Sequence, residues 1–216
     1  MSPPSTPKNA AAFRRKLLAW FRAAGRDLPW RRTRDPYRVL VSEFMLQQTQ
    51  VSRVLEFYPR FLKRYPDLAS LARARPRAVR EAWEGLGYYR RATNLHRLAR
   101  EVVRRHAGSL PSDPRELDRL PGVGPYTAGA VATFAYEKPA AAVDTNVRRV
   151  LSRVFGCTTA KEIGTTASAM QPRRGKTAWS FNQALMELGA LVCTARAPKC
   201  GECPVSRLCS WYLTNS

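Results

Sequence analysis

Two carboxyl groups, four thiols and one glycine-paired turn are the parts of this chain that could do chemistry. Glu43 interrupts the apolar run Val39-Leu40-Val41-Ser42-Glu43-Phe44-Met45-Leu46. A carboxyl in apolar surroundings has its pKa raised, so it stays protonated near neutral pH and can serve as an acid. On a helix surface the same residue would simply pair with an arginine, the commoner fate of Glu in a basic protein. Asp144 follows the small apolar run Ala140-Ala141-Ala142-Val143 and precedes an amphipathic stretch from Thr145. Aspartate there makes a good helix N-cap. A carboxylate held by backbone N–H groups also stays ionised, which suits stabilising a positive charge. Capping and chemistry do not exclude each other, and the residues alone leave both open.

Four of the five cysteines fall in the last 24 residues, at Cys193, Cys200, Cys203 and Cys209, spaced C-x6-C-x2-C-x5-C. On a tight irregular loop four thiolates can surround one soft metal centre, and Pro198, Gly201 and Pro204 supply the turns. Four-cysteine zinc sites commonly use two C-x2-C knuckles. Only one such pair occurs here, and flanking gaps of six and five suit a single [4Fe–4S] cubane better. Zinc stays open as the alternative, with disulfides further behind. Cys157, far off in sequence, reads as a small buried hydrophobe.

Leu120-Pro121-Gly122-Val123-Gly124-Pro125-Tyr126-Thr127 joins one helical stretch to the next. Two glycines flanking a small apolar residue let backbone N–H groups at the next helix's start reach an anion without a Cβ in the way. This is the helix-hairpin-helix pattern of sequence-independent DNA binding, with Gly122, Val123, Gly124 and Thr127 as its contacts. An ordinary tight helix–helix turn is the alternative. Arg196 and Lys199, between the first two clustered cysteines, stand as residues of a phosphate-touching loop would. The charge agrees: 37 Lys and Arg against 16 Asp and Glu give a formal +21, and the usual compensation for so basic a chain is a polyanion. Arg-rich codon usage or plain solubility would produce the same excess. No apolar stretch approaches the roughly 20 residues a membrane span requires. The polar, Pro-rich start has no secretory h-region. A cytoplasmic, nucleoid-associated protein with reduced thiols is therefore expected, which favours metal over disulfides.

The elements that must position these groups are helical nearly throughout. Phe13, Leu17, Leu18, Trp20 and Phe21 outline a first amphipathic helix that Gly25 and Pro29 end. A longer helix is expected from Pro36 to Arg64, interrupted at Pro59. Helical segments follow around 67–73, 76–84, 88–107, 113–119, 127–136, 145–155 and 178–192, while the polar stretch 157–177 reads as a loop with a partial helix. No convincing period-2 strand and no internal repeat occur, so the fold class is all-α.

At this point the chain resembles a known family. Leu28-Pro29-Trp30-Arg31, Ser42-Glu43 with Met45-Leu46-Gln47-Gln48-Thr49-Gln50-Val51, and Gly85-Leu86-Gly87-Tyr88-Tyr89 with Asn94-Leu95-His96 are similar to the MutY-type adenine glycosylases of the endonuclease III superfamily. So are the Gly122–Thr127 hairpin, Val143-Asp144 with Asn146, Asn182-Gln183-Ala184, Leu188-Gly189-Ala190 and the cysteine spacing. The resemblance implies two helical lobes with a DNA-binding cleft between them: residues 30–136 with the hairpin, and residues 11–29 plus 137–216 with the cluster; the polar, Pro-rich composition of residues 1–10 predicts a disordered tail before them. It implies a monomer acting on double-stranded DNA that carries a mismatch, with no membrane association.

Position by position, Glu43 would protonate the ring nitrogen of a flipped adenine and then activate water. Asp144 would stabilise the oxocarbenium-like sugar, with Tyr126 and Asn146 supporting the pair. Trp30 and Arg31 would line the base pocket; Gln48, Leu86 and Tyr88 would probe or wedge the stack. The four clustered cysteines would hold a structural [4Fe–4S] cluster. Bifunctional relatives place a lysine in the hairpin, where this chain has Tyr126 and no Lys over 120–130. A hydroxyl cannot form an imine, so a monofunctional enzyme is expected. Relatives of this type usually carry a further lesion-reading domain, whereas this chain stops seven residues after Cys209. A short mismatch thymine glycosylase of the same superfamily, and a non-enzymatic cluster-bearing DNA-binding module, are the competing readings.

Overall fold

A computed structural model describes residues 7–215. Every regular element among them is helical: α1 (Ala10–Ala24), α2 (Pro36–Leu46), α3 (Val51–Arg64), α4 (Leu68–Arg73), α5 (Pro76–Ala82), α6 (Arg90–Arg105), α7 (Pro114–Leu117), α8 (Pro125–Phe134), α9 (Thr145–Phe155), α10 (Ala160–Ala169), α11 (Gly175–Leu191) and α12 (Ser210–Asn215). Short 3-10 turns lie at Pro29–Arg31, Cys200–Glu202 and Ser206–Leu208. The chain divides into two compact units: Asp27–Tyr136, and the segments up to Arg26 and from Glu137 onward. Of the tail expected over 1–10, residues 1–6 lie outside the described residues, while Ala10 already donates its N–H to the Pro7 carbonyl at 2.9 Å and opens α1.

In the Asp27–Tyr136 unit, α2 and α8 form the apolar centre. Asp35 caps α2, accepting from the N–H groups of Tyr37 (2.8 Å) and Arg38 (3.2 Å), with Pro36 at the first helical position. Val39 to Met45 are all buried, as are Thr127 to Phe134 of α8. Such all-round burial is why neither stretch shows a polar face in sequence. Removing one of these large side chains, such as Phe44, would cost about 3–5 kcal/mol.

The single helix expected over 36–64 is two helices. The break falls at Gln47–Gln50, where Gln48 takes a φ of +56°, and not at Pro59. Pro59 continues α3 because it and Leu55 face solvent, so the carbonyl deprived of its donor can be hydrated.

In the other unit, α1 packs on α11 and α11 on α9. Phe13 meets Phe155 and Phe181 edge-on, with centroids 5.1 and 6.5 Å apart. Glu187, fully buried on α11, receives Arg26 Nε and Nη2 and the Arg26 N–H, each at 2.8 Å, so its charge is compensated. Residues 157–177 hold more helix than expected. A capping box at Thr159 and Glu162 starts α10, with Thr159 Oγ1 accepting from Glu162 N at 3.2 Å and Glu162 Oε2 from Thr159 N at 3.1 Å.

Candidate functional site

Glu43 lies on α2, three residues before its end, and is 4% exposed. Tyr126, the second residue of α8, donates its hydroxyl proton to Glu43 Oε2 at 2.8 Å. The apolar run thus buries a carboxyl and hands it the tyrosine hydroxyl as a donor.

The hairpin before α8 is built to lie close on its neighbours. Gly122 has φ +77°, and a Cβ there would come within 2.6 Å of Asn94 Cβ and 3.0 Å of Phe44 Cε1. A Cβ added at Gly124 would meet nothing within 4 Å. Gly124 caps α8 with no side-chain bond to the first turn, so amide N–H groups at this helix start have no intrahelical acceptor. Two hairpin assignments need correction. Val123 is buried and donates its N–H to the Leu120 carbonyl at 3.1 Å, so it supports the turn from within and offers no donor to an anion. Thr127 is also buried, and only its main chain belongs to the open helix start.

The two turns expected to meet a base stack differ from the sequence reading in one respect. Gln48 and Tyr88 are exposed, both at positive φ (+56° and +48°), and Tyr88 is 60% exposed. Leu86 is buried in the unit's core and cannot wedge a stack from there. Its bulk suits a wedge, but the turn packs it inward. Trp30 is likewise buried, edge-on to Tyr58 with centroids 5.5 Å apart, so it backs the wall of its unit, while Arg31 beside it is half-buried.

In the second unit Asp144 caps α9. Its Oδ1 accepts the Val147 N–H at 2.7 Å and its Oδ2 accepts Asn146 Nδ2 at 2.8 Å. Asn146 is itself held: Arg149 Nη2 donates to Asn146 Oδ1 and to the Gly189 carbonyl, and Arg149 Nε to the Cys193 carbonyl, each at 2.7 Å. A chain of hydrogen bonds therefore runs from the aspartate to the first clustered cysteine. Arg149 was missed by the sequence reading, because nothing in its spacing separates it from the other basic residues.

Cys193, Cys200, Cys203 and Cys209 line one apolar hollow together with Val192 and Tyr212. Arg153 points Nη1 at Cys193 Sγ from 3.4 Å and at the Thr194 carbonyl from 2.7 Å. Burial and the neighbouring thiols push Cys203 up to about 11, and burial pushes Cys209 up as well. Four thiols around one apolar space, with a guanidinium beside them, suit an anionic iron–sulfur core. Arg196 and Lys199 are exposed on the intervening loop. Cys157 is half-buried beside Thr166, apart from the group.

A profile of the HhH-GPD superfamily of base excision DNA repair proteins matches residues 41–172, and the iron–sulfur binding domain of endonuclease III matches residues 193–209. An adenine DNA glycosylase of Mycobacterium tuberculosis is 47% identical over 202 residues, covering 90% of this chain and 66% of the relative, so the chain spans just under two thirds of that protein. A thermostable thymine-DNA glycosylase superposes with a TM-score of 0.90 at 34% identity, covering 96% of this chain and 98% of that one. Endonuclease III trapped as a covalent intermediate with DNA gives 0.83 at 26% identity, over 98% and 99% of the two chains. No helix among the described residues is long and apolar enough to cross a membrane.

Proposed function

The chain belongs to the HhH-GPD superfamily of base excision DNA repair proteins, and from that premise we propose that it is a monofunctional DNA glycosylase, hydrolysing the N-glycosidic bond of adenine mispaired with guanine or 8-oxoguanine. One observation carries the reading: Glu43 is withdrawn from water and oriented by the Tyr126 hydroxyl. A carboxyl so placed is suited to deliver a proton.

An N-glycosidic bond breaks when the leaving base is protonated and the positive charge growing on the sugar is stabilised. Glu43 gives its proton to a ring nitrogen of the extruded adenine, the bonding pair leaves with the base, and Glu43 then takes a proton from the attacking water. The Asp144 carboxylate, fixed by Val147 and Asn146, stabilises the oxocarbenium-like sugar. The base must first leave the stack, at a cost of about a few kcal/mol that falls at a mismatch. Gln48 and Tyr88, exposed on their turns, test the stack; Arg31, with the edge of Trp30, bounds the base. Main-chain N–H groups of Gly122, Gly124 and Thr127, with Arg196 and Lys199, take phosphates. Cys193, Cys200, Cys203 and Cys209 hold the [4Fe–4S] cluster, which stiffens the loop carrying Arg196 and Lys199 and takes no part in bond cleavage. The enzyme works as a monomer on duplex DNA.

Identity of 47% to an adenine glycosylase supports adenine as the base. Excision of thymine opposite guanine is the second reading, favoured by the TM-score of 0.90 to a thymine-DNA glycosylase. The test is a panel of duplexes carrying adenine or thymine opposite guanine or 8-oxoguanine, incubated with excess protein and then cleaved by alkali. Product from the adenine duplexes alone is expected. Product from thymine duplexes alone would establish the second reading, and none from any would remove the enzymatic one.

A further inference from the structure

Arg91 gathers more main-chain carbonyls than the arginines that pair with carboxylates, and it draws them from two separate elements. Arg53, Arg77 and Arg105 pair with glutamates on their own helices. Arg91, in the first turn of α6 and 7% exposed, donates to main-chain carbonyls instead. Nη1 reaches the carbonyls of Phe44 (3.1 Å), Met45 (2.8 Å) and Gln47. Nη2 reaches Leu86 (3.1 Å) and Gly87 (3.0 Å), and Nε points at the Tyr88 carbonyl from 3.4 Å. The guanidinium lies 5.5 Å from the ring centroids of both Trp83 and Tyr88.

The first three carbonyls end α2, where acceptors lack intrahelical donors and the helix dipole is negative. The other three belong to the turn after α5. One planar fork therefore joins the helix end that carries Glu43 and leads into Gln48 to the turn that presents Tyr88. Gln48 and Tyr88 both sit at positive φ, a backbone state that a side-chain-bearing residue keeps only where its surroundings impose it. The fork supplies that constraint on both sides at once. A lysine in its place keeps the charge but offers three donors from one point and cannot serve both carbonyl sets.

We propose that Arg91 is a positioning residue for base excision, holding Gln48 and Tyr88 in fixed relation to each other and to Glu43, so that meeting a mispair and presenting the acid are one coupled event. The proposal rests on the glycosylase reading above.

The experiment uses Arg91→Lys, Gln48→Ala, Tyr88→Ala and the Gln48→Ala/Tyr88→Ala double variant. Dissociation constants are measured on a duplex with adenine opposite 8-oxoguanine and on its matched counterpart, together with the single-turnover rate at saturating protein. Arg91→Lys, with the wild-type helical circular dichroism, is expected to bind matched duplex within about twofold of wild type. It should lose about tenfold of its preference for the mispair and about tenfold in rate. The alanine pair should be non-additive in mispair preference, the double variant resembling the worse single one. A folded Arg91→Lys that keeps preference and rate within twofold would overturn the proposal. Should the lysine variant fail to fold, the alanine pair decides, and strict additivity there would equally overturn it. Wild-type protein without excision or mispair preference on these duplexes would instead overturn the glycosylase reading itself.

Discussion

The Tyr126 hydroxyl and the Glu43 carboxyl meet at 2.8 Å although 83 positions separate them in the chain. The contact joins the start of α8, just past the hairpin, to the buried face of α2. Tyr126→Phe removes only the donor. If the bond orients the acid, single-turnover excision should fall about tenfold, the equivalent of roughly 1.4 kcal/mol, with little change in DNA affinity. An unchanged rate would show that Glu43 needs no such orientation.

Gly189 sets how closely α11 can approach Asn146. A Cβ there would stand 2.6 Å from Asn146 Cβ and 3.0 Å from its carbonyl oxygen. Gly189→Ala should therefore displace Asn146 from Asp144 and lower both the melting temperature and the excision rate, the latter at least tenfold. Gly164→Ala, on α10 with nothing within 4 Å of the added carbon, is the control and should behave as wild type.

Arg149 bridges Asn146, Gly189 and Cys193. Arg149→Met should loosen both ends of that chain: iron content and visible absorbance should drop, and excision should slow even in the fraction that keeps its cluster. Iron analysis beside single-turnover kinetics checks this. Loss of cluster alone, with full activity per cluster, would confine Arg149 to the loop.

How much of this was legible in the sequence depended on whether a pattern stayed within one element. The cysteine spacing, the hairpin and the Asp144 cap are local, and each was readable. The break between α2 and α3 was not, because Gln47–Gln50 contain neither glycine nor proline, and the carbonyl before the bend is held by Arg91, far along the chain. The capping box at Thr159 and Glu162 was present in the sequence, but the polar composition around it masked α10. Leu86 and Val123 lie between glycines, where spacing does not tell whether a side chain turns in or out; both turn in. Arg91 and Arg149 take their roles from distant carbonyls, and among 37 Lys and Arg no local signal marks them.

His96 is buried, its Nε2 without a hydrogen-bond partner among the described residues. Burial holds its imidazole below the ordinary 6.5, and the Arg100 charge acts the same way against the carbonyls of Ala74 and Ala72. The unfolded chain then takes up this proton at higher pH than the folded one does. The folded state keeps its full stability above pH 6.5 and loses it as pH falls through the folded value. The melting temperature should decline from pH 7.5 to 5.5, and His96→Phe should flatten that decline. An equal slope in the variant would assign it to other groups.

Residues 120–130, from the hairpin into α8, contain no lysine, and the Tyr126 hydroxyl cannot form an imine with the sugar. Borohydride added during turnover should trap no covalent protein–DNA adduct, while abasic product accumulates and breaks only on treatment with alkali. Strong trapping would mean that another amine forms an imine.

The most direct measurement is single-turnover excision of adenine opposite 8-oxoguanine by wild type, Glu43→Gln and Asp144→Asn, with affinity for the same duplex measured in parallel. Wild-type protein should release the base, and each variant should bind the duplex nearly as well while producing no detectable abasic site. A variant that excises at the wild-type rate would contradict the assignment of an acid at Glu43 or of a sugar-stabilising carboxylate at Asp144.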